Sequence, residues 1–217
     1  MKYSAICFDL DGVIVNSELL HEAAFRSTLK HYNLSLSEDD YKTYFAGKTD
    51  KQGFIDYLSS LQATIPLADL LTLKGQLFAS LAPEELSYYE SVPNLVKNLA
   101  GTTTLALVTG SSPEETEIAL KGQNLSKYFS VVITARDITY SKPNPEGYLL
   151  AATQLGNSIA PATCIAVEDS PSGVRAAKAA GMYCIAVTNT HTAEMLQMAD
   201  VVTSQLKLST FTKLLSV

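Results

Sequence analysis

Six short apolar runs recur along the chain: Tyr3–Phe8, Leu105–Val108, Phe129–Ile133, Cys164–Val167, Tyr183–Val187 and Ala199–Val202. They are rich in Val, Ile and aromatic residues, and most lack the polar alternation of a half-exposed strand. That pattern predicts strands buried on both faces, as in a parallel sheet. Segments with helical spacing lie between most of them. Val92, Leu95, Val96 and Leu99 repeat at helical intervals. Ser112-Pro113-Glu114-Glu115 reads as a capping box with proline in the first turn. Asn144-Pro145-Glu146 opens a helix that closes at Gly156, and Ser170-Pro171 opens another that runs to a C-terminal cap at Gly181. Alternating strands and helices predict an α/β fold with a doubly wound, mainly parallel, Rossmann-like sheet.

One stretch breaks the alternation. Residues 16–85 show only helical patterns: Glu18–Tyr32, Ser37–Phe45, Lys51–Leu61 and Ala68–Leu81. This predicts a helical cap domain, 16–85, inserted into the first strand–helix connection of a core built from 1–15 and 86–217. Such an insertion stands over the carboxyl ends of the strands, where open α/β sheets place their ligands. Hinges are expected near Val13–Ser17 and Glu85–Pro93, with closure excluding water.

Composition adds limits. The chain has 217 residues, 47% hydrophobic and 18% charged, which is enough to bury a core and excludes disorder. No apolar run approaches the ~18–20 residues a bilayer span needs, and an acidic residue comes too early in MKYSAICFDLDG for a secretory signal. Cys7, Cys164 and Cys184 sit inside apolar stretches without paired spacing, as small buried hydrophobes in a reduced compartment do. The expectation is a soluble, cytoplasmic protein with no membrane partner. A net charge of −6 without a basic stripe argues against nucleic acid. With no obvious exposed apolar stripe, the chain is expected to be a monomer. A small phosphorylated substrate stays compatible, because a metal and one or two lysines can neutralise it locally.

The residues with chemistry to offer fall at or just past the ends of the predicted strands. They are Asp9-Leu10-Asp11-Gly12, Thr109-Gly110-Ser111-Ser112, Ser141-Lys142-Pro143 and Glu168-Asp169-Ser170. In a parallel sheet these ends share one edge, so the four clusters can meet in one cleft. Several carboxylates in one cleft repel each other and call for a hard cation; oxygen donors suit Mg²⁺. An aspartate can attack phosphorus, and a second carboxylate two residues on can handle the proton. A threonine hydroxyl and a lysine ammonium can hold the phosphoryl oxygens. Each cluster alone is ordinary turn or cap chemistry. It is their succession at the ends of one sheet that points to a site.

Taken together, FDLDGV (8–13), LVTGSS (107–112), SKP (141–143) and VEDSPSGVRAAKAAGM (167–182) closely resemble the haloacid dehalogenase superfamily. The resembling subgroup carries a helical cap after the first motif and contains β-phosphoglucomutases, phosphoglycolate phosphatases and sugar-phosphate phosphatases. The resemblance covers nearly the whole chain; it is specific for the superfamily and poorly specific for the substrate. It implies that Asp9 is the nucleophile and a Mg²⁺ ligand, and that Asp11 is the general acid/base with its backbone carbonyl on the metal. It implies that Thr109 and Lys142 bind the phosphoryl group, helped by backbone amides around Gly110 and by Ser111. It places Asp169 on the metal directly and Glu168 directly or through water. The superfamily's dehalogenases lack the second aspartate, so the presence of Asp11 argues against halide chemistry.

Phosphatase and mutase share this core. His21 falls where β-phosphoglucomutase has a functional histidine, although related phosphatases often carry one too. The mutase's cap arginine would fall near Gly47-Lys48-Thr49-Asp50, where there is none, and its lysine–asparagine pair falls at Ser112-Pro113. Lys48 and Lys74 could supply part of that charge, and Asn16 replaces the aspartate common at the hinge. His21, Lys48, Thr49 and Lys74 are therefore the candidate substrate or cap residues, with Gln76 a further possibility. The reading that follows is a Mg²⁺-dependent phosphomonoesterase acting on a small phosphorylated metabolite, a sugar phosphate by preference, through an aspartyl-phosphate. A phosphosugar mutase is the alternative. A phospho-accepting signalling domain is more remote, since such domains lack a long helical insertion and accept phosphate in mid-chain.

Overall fold

A computed structural model describes residues 3–156 and 159–215. Its main sheet has six parallel strands: β1 (Ala5–Phe8), β4 (Thr104–Val108), β5 (Val131–Ile133), β6 (Cys164–Glu168), β7 (Tyr183–Val187) and β8 (Val201–Thr203). Their order across the sheet is β5-β4-β1-β6-β7-β8. The chain leaves β1 toward one edge and returns to pair β6 on the other side, so the switch in winding falls between β1 and β6. The expected α/β doubly wound, Rossmann-like architecture is the one observed.

The six apolar runs all become strands, with shifts at their ends. β5 begins at Val131 because a single 3₁₀ turn over Ser126–Tyr128 ends on Phe129. β8 is displaced to Val201–Thr203 because Asp200 precedes it, accepting the Cys184 backbone amide and pairing with Lys178.

The strands divide their residues by size. Ile6, Phe8, Leu105, Leu107, Ile165, Val167, Ile185 and Val187 all point to one face, which α5 (Val92–Ala100) and α9 (Leu208–Leu215) cover. Ala5, Cys7, Ala106, Cys164, Ala166, Cys184 and Ala186 point to the other, where α7 (Glu146–Leu155) and α8 (Pro171–Ala179) lie. All three cysteines are buried free thiols on this small-residue face, as side chains with little volume to place. Side chains alternate strictly along a strand, so one run supplies both cores.

Between β1 and α5 lie α1 (Glu18–His31), α2 (Glu38–Tyr44), α3 (Asp50–Leu61) and α4 (Leu67–Glu85). Phe25, Leu29, Tyr41, Phe45, Phe54 and Tyr57 form an apolar core of their own. α4 runs four residues past the expected Leu81, through Pro83, to Glu85. The two chain crossings into this layer are tied by a short antiparallel ribbon, β2 (Val15–Asn16) with β3 (Ser87–Tyr88). Two-residue strands carry no periodicity, and the ribbon has no sequence signal. α6 (Pro113–Lys121) follows β4 and begins with the expected capping box, in which Ser112 and Glu115 bond each other's backbone amides.

Among the described residues no helix is long and apolar enough to cross a membrane.

Candidate active site

The carboxyl ends of β1, β4 and β6 bring the predicted clusters together. Asp9 follows β1, and Glu168 is the last residue of β6 with Asp169 next. Carboxylate oxygens of these three residues lie within 4.8 Å of one another. Lys142 reaches in from the loop before α7, with Nζ 2.9 Å from Asp9 Oδ1 and 2.7 Å from Glu168 Oε1. It also donates to the Val108 carbonyl at 3.1 Å. Tyr148 donates to Glu168 Oε1 at 2.5 Å.

Electrostatics follow from this crowding. Burial, then the charge of Glu168, push the Asp9 carboxyl well above its ordinary range, and Lys142 opposes the shift. Burial and Glu168 likewise raise Asp169 to about 7. Burial disfavours the charge on Lys142, yet Asp9 and Glu168 outweigh it and hold the ammonium above its usual value. One ammonium faces three carboxylates in a buried, oxygen-lined niche, which is an excess of acidic oxygen donors. The donor set therefore fits a hard divalent cation.

Asp11 turns away from that niche. Its Oδ2 accepts from Ser111 Oγ at 2.6 Å and Thr109 Oγ1 at 3.4 Å, and its Oδ1 accepts from Ser17 and lies 3.2 Å from His21 Nε2. Burial works to raise this carboxyl, but the hydrogen bond and charge of His21, with the two serines, hold it well below the carboxylate range.

The cleft has a volume of about 730 Å³. Asp9, Asp11, Thr109, Gly110, Ser111, Lys142 and Asp169 line its floor, and His21, Lys48 and Thr49 line it from the helical layer. Thr49 caps α3 and packs over Gly110: a β-carbon on that glycine would sit 3.7 Å from Thr49 Cγ2. Lys48 is held by Asp56 at 2.8 Å.

Lys74 is placed differently from the other candidates. It is wholly buried and absent from the lining, between Asp50 Oδ2 at 2.7 Å and Glu115 Oε1 at 2.6 Å, with His21 Nδ1 at 2.9 Å. Its charge is spent inside the protein and reaches the cleft through His21 and Asp50, which line it. Gln76 points to solvent.

The loop after β7 carries residues that the sequence reading did not find. Thr190 Oγ1 donates to Asp169 Oδ2, His191 Nδ1 lies 3.2 Å from the Asp169 carbonyl, and Asn189 donates to the Gly12 carbonyl at 2.7 Å. Only their place after a buried strand could have drawn attention to them. Arg175, on α8, also lines the cleft.

A relative from Streptomyces hygroscopicus subsp. limoneus, a validoxylamine A 7'-phosphate phosphatase, is 31% identical over 94% of each chain. The fructose-1-phosphate phosphatase of Escherichia coli K12 is 30% identical over 86% of this chain and 97% of its own. The crystal structure of a β-phosphoglucomutase from Clostridium difficile superposes with a TM-score of 0.85 over 99% of this chain and 97% of that one; at 21% identity the likeness concerns the fold. The relatives' phosphatase activity agrees with a cleft of carboxylates, lysine and hydroxyls, and the family model that matches residues 6–187 spans all four clusters. On that match the chain belongs to the haloacid dehalogenase-like hydrolases, and it is an enzyme of the phosphatase kind.

Proposed function

We propose that this chain is a Mg²⁺-dependent phosphomonoesterase that acts on a small phosphorylated sugar through an aspartyl-phosphate on Asp9. The observation that carries the reading is the position of the Asp9 carboxylate, between the Lys142 ammonium and the Glu168–Asp169 pair on the floor of an open cleft. The relatives' phosphorylated sugars and pseudo-sugars supply the substrate class.

In this reading Asp9, Glu168 and Asp169 hold the cation, with the Asp11 carbonyl. The bound ion would keep the three carboxylates ionised and offset charge building on the phosphoryl oxygens. Asp9 attacks phosphorus and the bond to the sugar oxygen breaks. Lys142, the Thr109 and Ser111 hydroxyls and the Gly110 amide hold the transferred group. As those hydroxyls turn to the phosphoryl oxygens, Asp11 loses the Ser111 donor that helps keep it ionised, and its proton affinity rises. Asp11 then gives its proton to the leaving oxygen and afterwards takes one from the water that releases phosphate. Residues 16–85 act as the cap that closes over this chemistry, with the β2–β3 ribbon at its hinge.

A mutase must hold a second phosphate while its intermediate turns over. Ser112-Pro113 begins α6 and supplies no cation there, which favours hydrolysis. Incubation with fructose 1-phosphate should release inorganic phosphate in Mg²⁺ and none after chelation, and Asp9→Asn should lose the activity with an unchanged circular dichroism spectrum. Retained activity in Asp9→Asn would remove the nucleophile assignment. Isomerisation of β-glucose 1-phosphate with a bisphosphate primer, in place of phosphate release, would establish the mutase.

A further inference from the structure

Four cations with permanent charge line the cleft: Lys42, Lys48, Lys142 and Arg175. Three are answered by carboxylates, Lys42 by Glu38, Lys48 by Asp56, and Lys142 by Asp9 and Glu168. The chain's other arginines are also paired, Arg26 with Glu22 and Arg136 with Glu114. Arg175 alone among these has no acidic partner among the described residues, and its side chain is exposed at the cleft. It stands on the α8 face that carries Ser172, three residues earlier, and Ser172 Oγ would lie 3.8 Å from a β-carbon on Gly47 of the helical layer. Arg175 thus stands on the helix face that meets the helical layer beside the cleft. Arg175 lies about a turn and a half along α8 from its Ser170 cap. A guanidinium in this setting binds a planar or tetrahedral oxyanion by paired hydrogen bonds.

Building on the phosphomonoesterase reading, we propose that Arg175 is a specificity-determining residue that binds a second oxyanion at the far end of the substrate, so that the preferred substrate is a sugar phosphate with a carboxylate or a second phosphate remote from the group removed.

The test is calorimetric titration, in Mg²⁺, of the Asp9→Asn protein with and without Arg175→Ala, so that no ligand is consumed. Two matched pairs are used: 6-phosphogluconate with glucose 6-phosphate, and fructose 1,6-bisphosphate with fructose 1-phosphate. With Arg175 present, at least one doubly charged member should bind about tenfold tighter than its partner, as a charge-assisted hydrogen-bond pair allows. Arg175→Ala should bring that ratio to within about twofold. The pair that loses more identifies the second group as carboxylate or phosphate. Equal affinities within both pairs in the presence of Arg175, or a preference that survives Arg175→Ala, would overturn the proposal. Failure of the wild-type protein to hydrolyse p-nitrophenyl phosphate would instead remove the phosphomonoesterase reading, which the binding ratios do not measure.

Discussion

The Lys74 ammonium on α4 lies 2.6 Å from the Glu115 carboxylate on α6, and the two side chains are 0% and 2% exposed. One belongs to the helical layer and the other to the layer over the sheet, so a buried ion pair spans the seam. Asp50 adds a second carboxylate at 2.7 Å. Burial opposes the charge on Lys74, but Asp50 and Glu115 outweigh it and raise its pKa. Breaking a buried pair by removing one partner leaves an uncompensated charge, at a cost of about 3–5 kcal/mol. Lys74→Ala should therefore lower the urea midpoint strongly with an unchanged slope. Glu115→Gln should cost less, because Asp50 still answers the ammonium. Equal midpoints for the wild-type and Lys74→Ala proteins would show that the pair contributes nothing.

Metal-free protein should lose stability as pH rises across the titration of Asp169. Its folded pKa of about 7 lies above the ordinary 3.8, so the folded chain holds more protons between these values. That contribution is complete below the unfolded value and is lost as pH passes through the folded one. Asp9, raised by the same burial and by Glu168, acts in the same direction. A divalent cation should flatten the profile, because it favours the ionised carboxylates. Thermal melts across this range, with and without Mg²⁺, check both parts. A metal-free melting temperature that climbs between about pH 4 and about pH 7 would contradict the assignment.

Thr190 should act on metal affinity through Asp169. Its hydroxyl donates to the carboxylate that completes the acidic niche. Partners that orient metal ligands typically change affinity by about 10–100-fold when removed. Thr190→Val should weaken Mg²⁺ binding by such a factor with little change in the melting temperature of metal-free protein, and Thr190→Ser should restore it. Titration calorimetry measures all three proteins.

Sheet and floor of the cleft were legible because each depends on a local signal. A fully buried strand reads as an unbroken apolar run, and polar clusters that recur past the ends of successive runs mark one edge of the sheet. Ser112 and Glu115 announce a helix start by the same kind of short-range chemistry, but nothing announces that Glu115 also receives Lys74, 41 residues away. The spacing that marks α5 is present in α9 as well, where Phe211 and Leu215 are buried four residues apart. Thr190 and His191 sit in an ordinary polar loop, and Arg175 on the exposed face of a helix, where a charged residue is ordinary. What the sequence concealed was pairing across the fold, and pairing decides which of Lys48, Lys74 and Arg175 has charge to offer a ligand.

Gly12 should tolerate no side chain, for two separable reasons. Its φ of +74° is left-handed, where other residues cost about 1–3 kcal/mol. A β-carbon there would also lie 1.9 Å from Asp169 Oδ2, inside the carboxylate rather than beside it. Asn189 fixes the turn by its bond to the Gly12 carbonyl, so the loop cannot simply swing away. Gly12→Ala should accordingly lose stability by about the cost of the strained backbone and should also lose Mg²⁺ affinity, because Asp169 must move. Backbone strain alone would lower the denaturation midpoint and leave the Mg²⁺ dissociation constant of the folded protein unchanged. Displacement of Asp169 would weaken metal binding at temperatures where the variant is fully folded. Calorimetry well below the melting transition separates the two, and unaltered affinity there would show that Asp169 does not need the space Gly12 leaves.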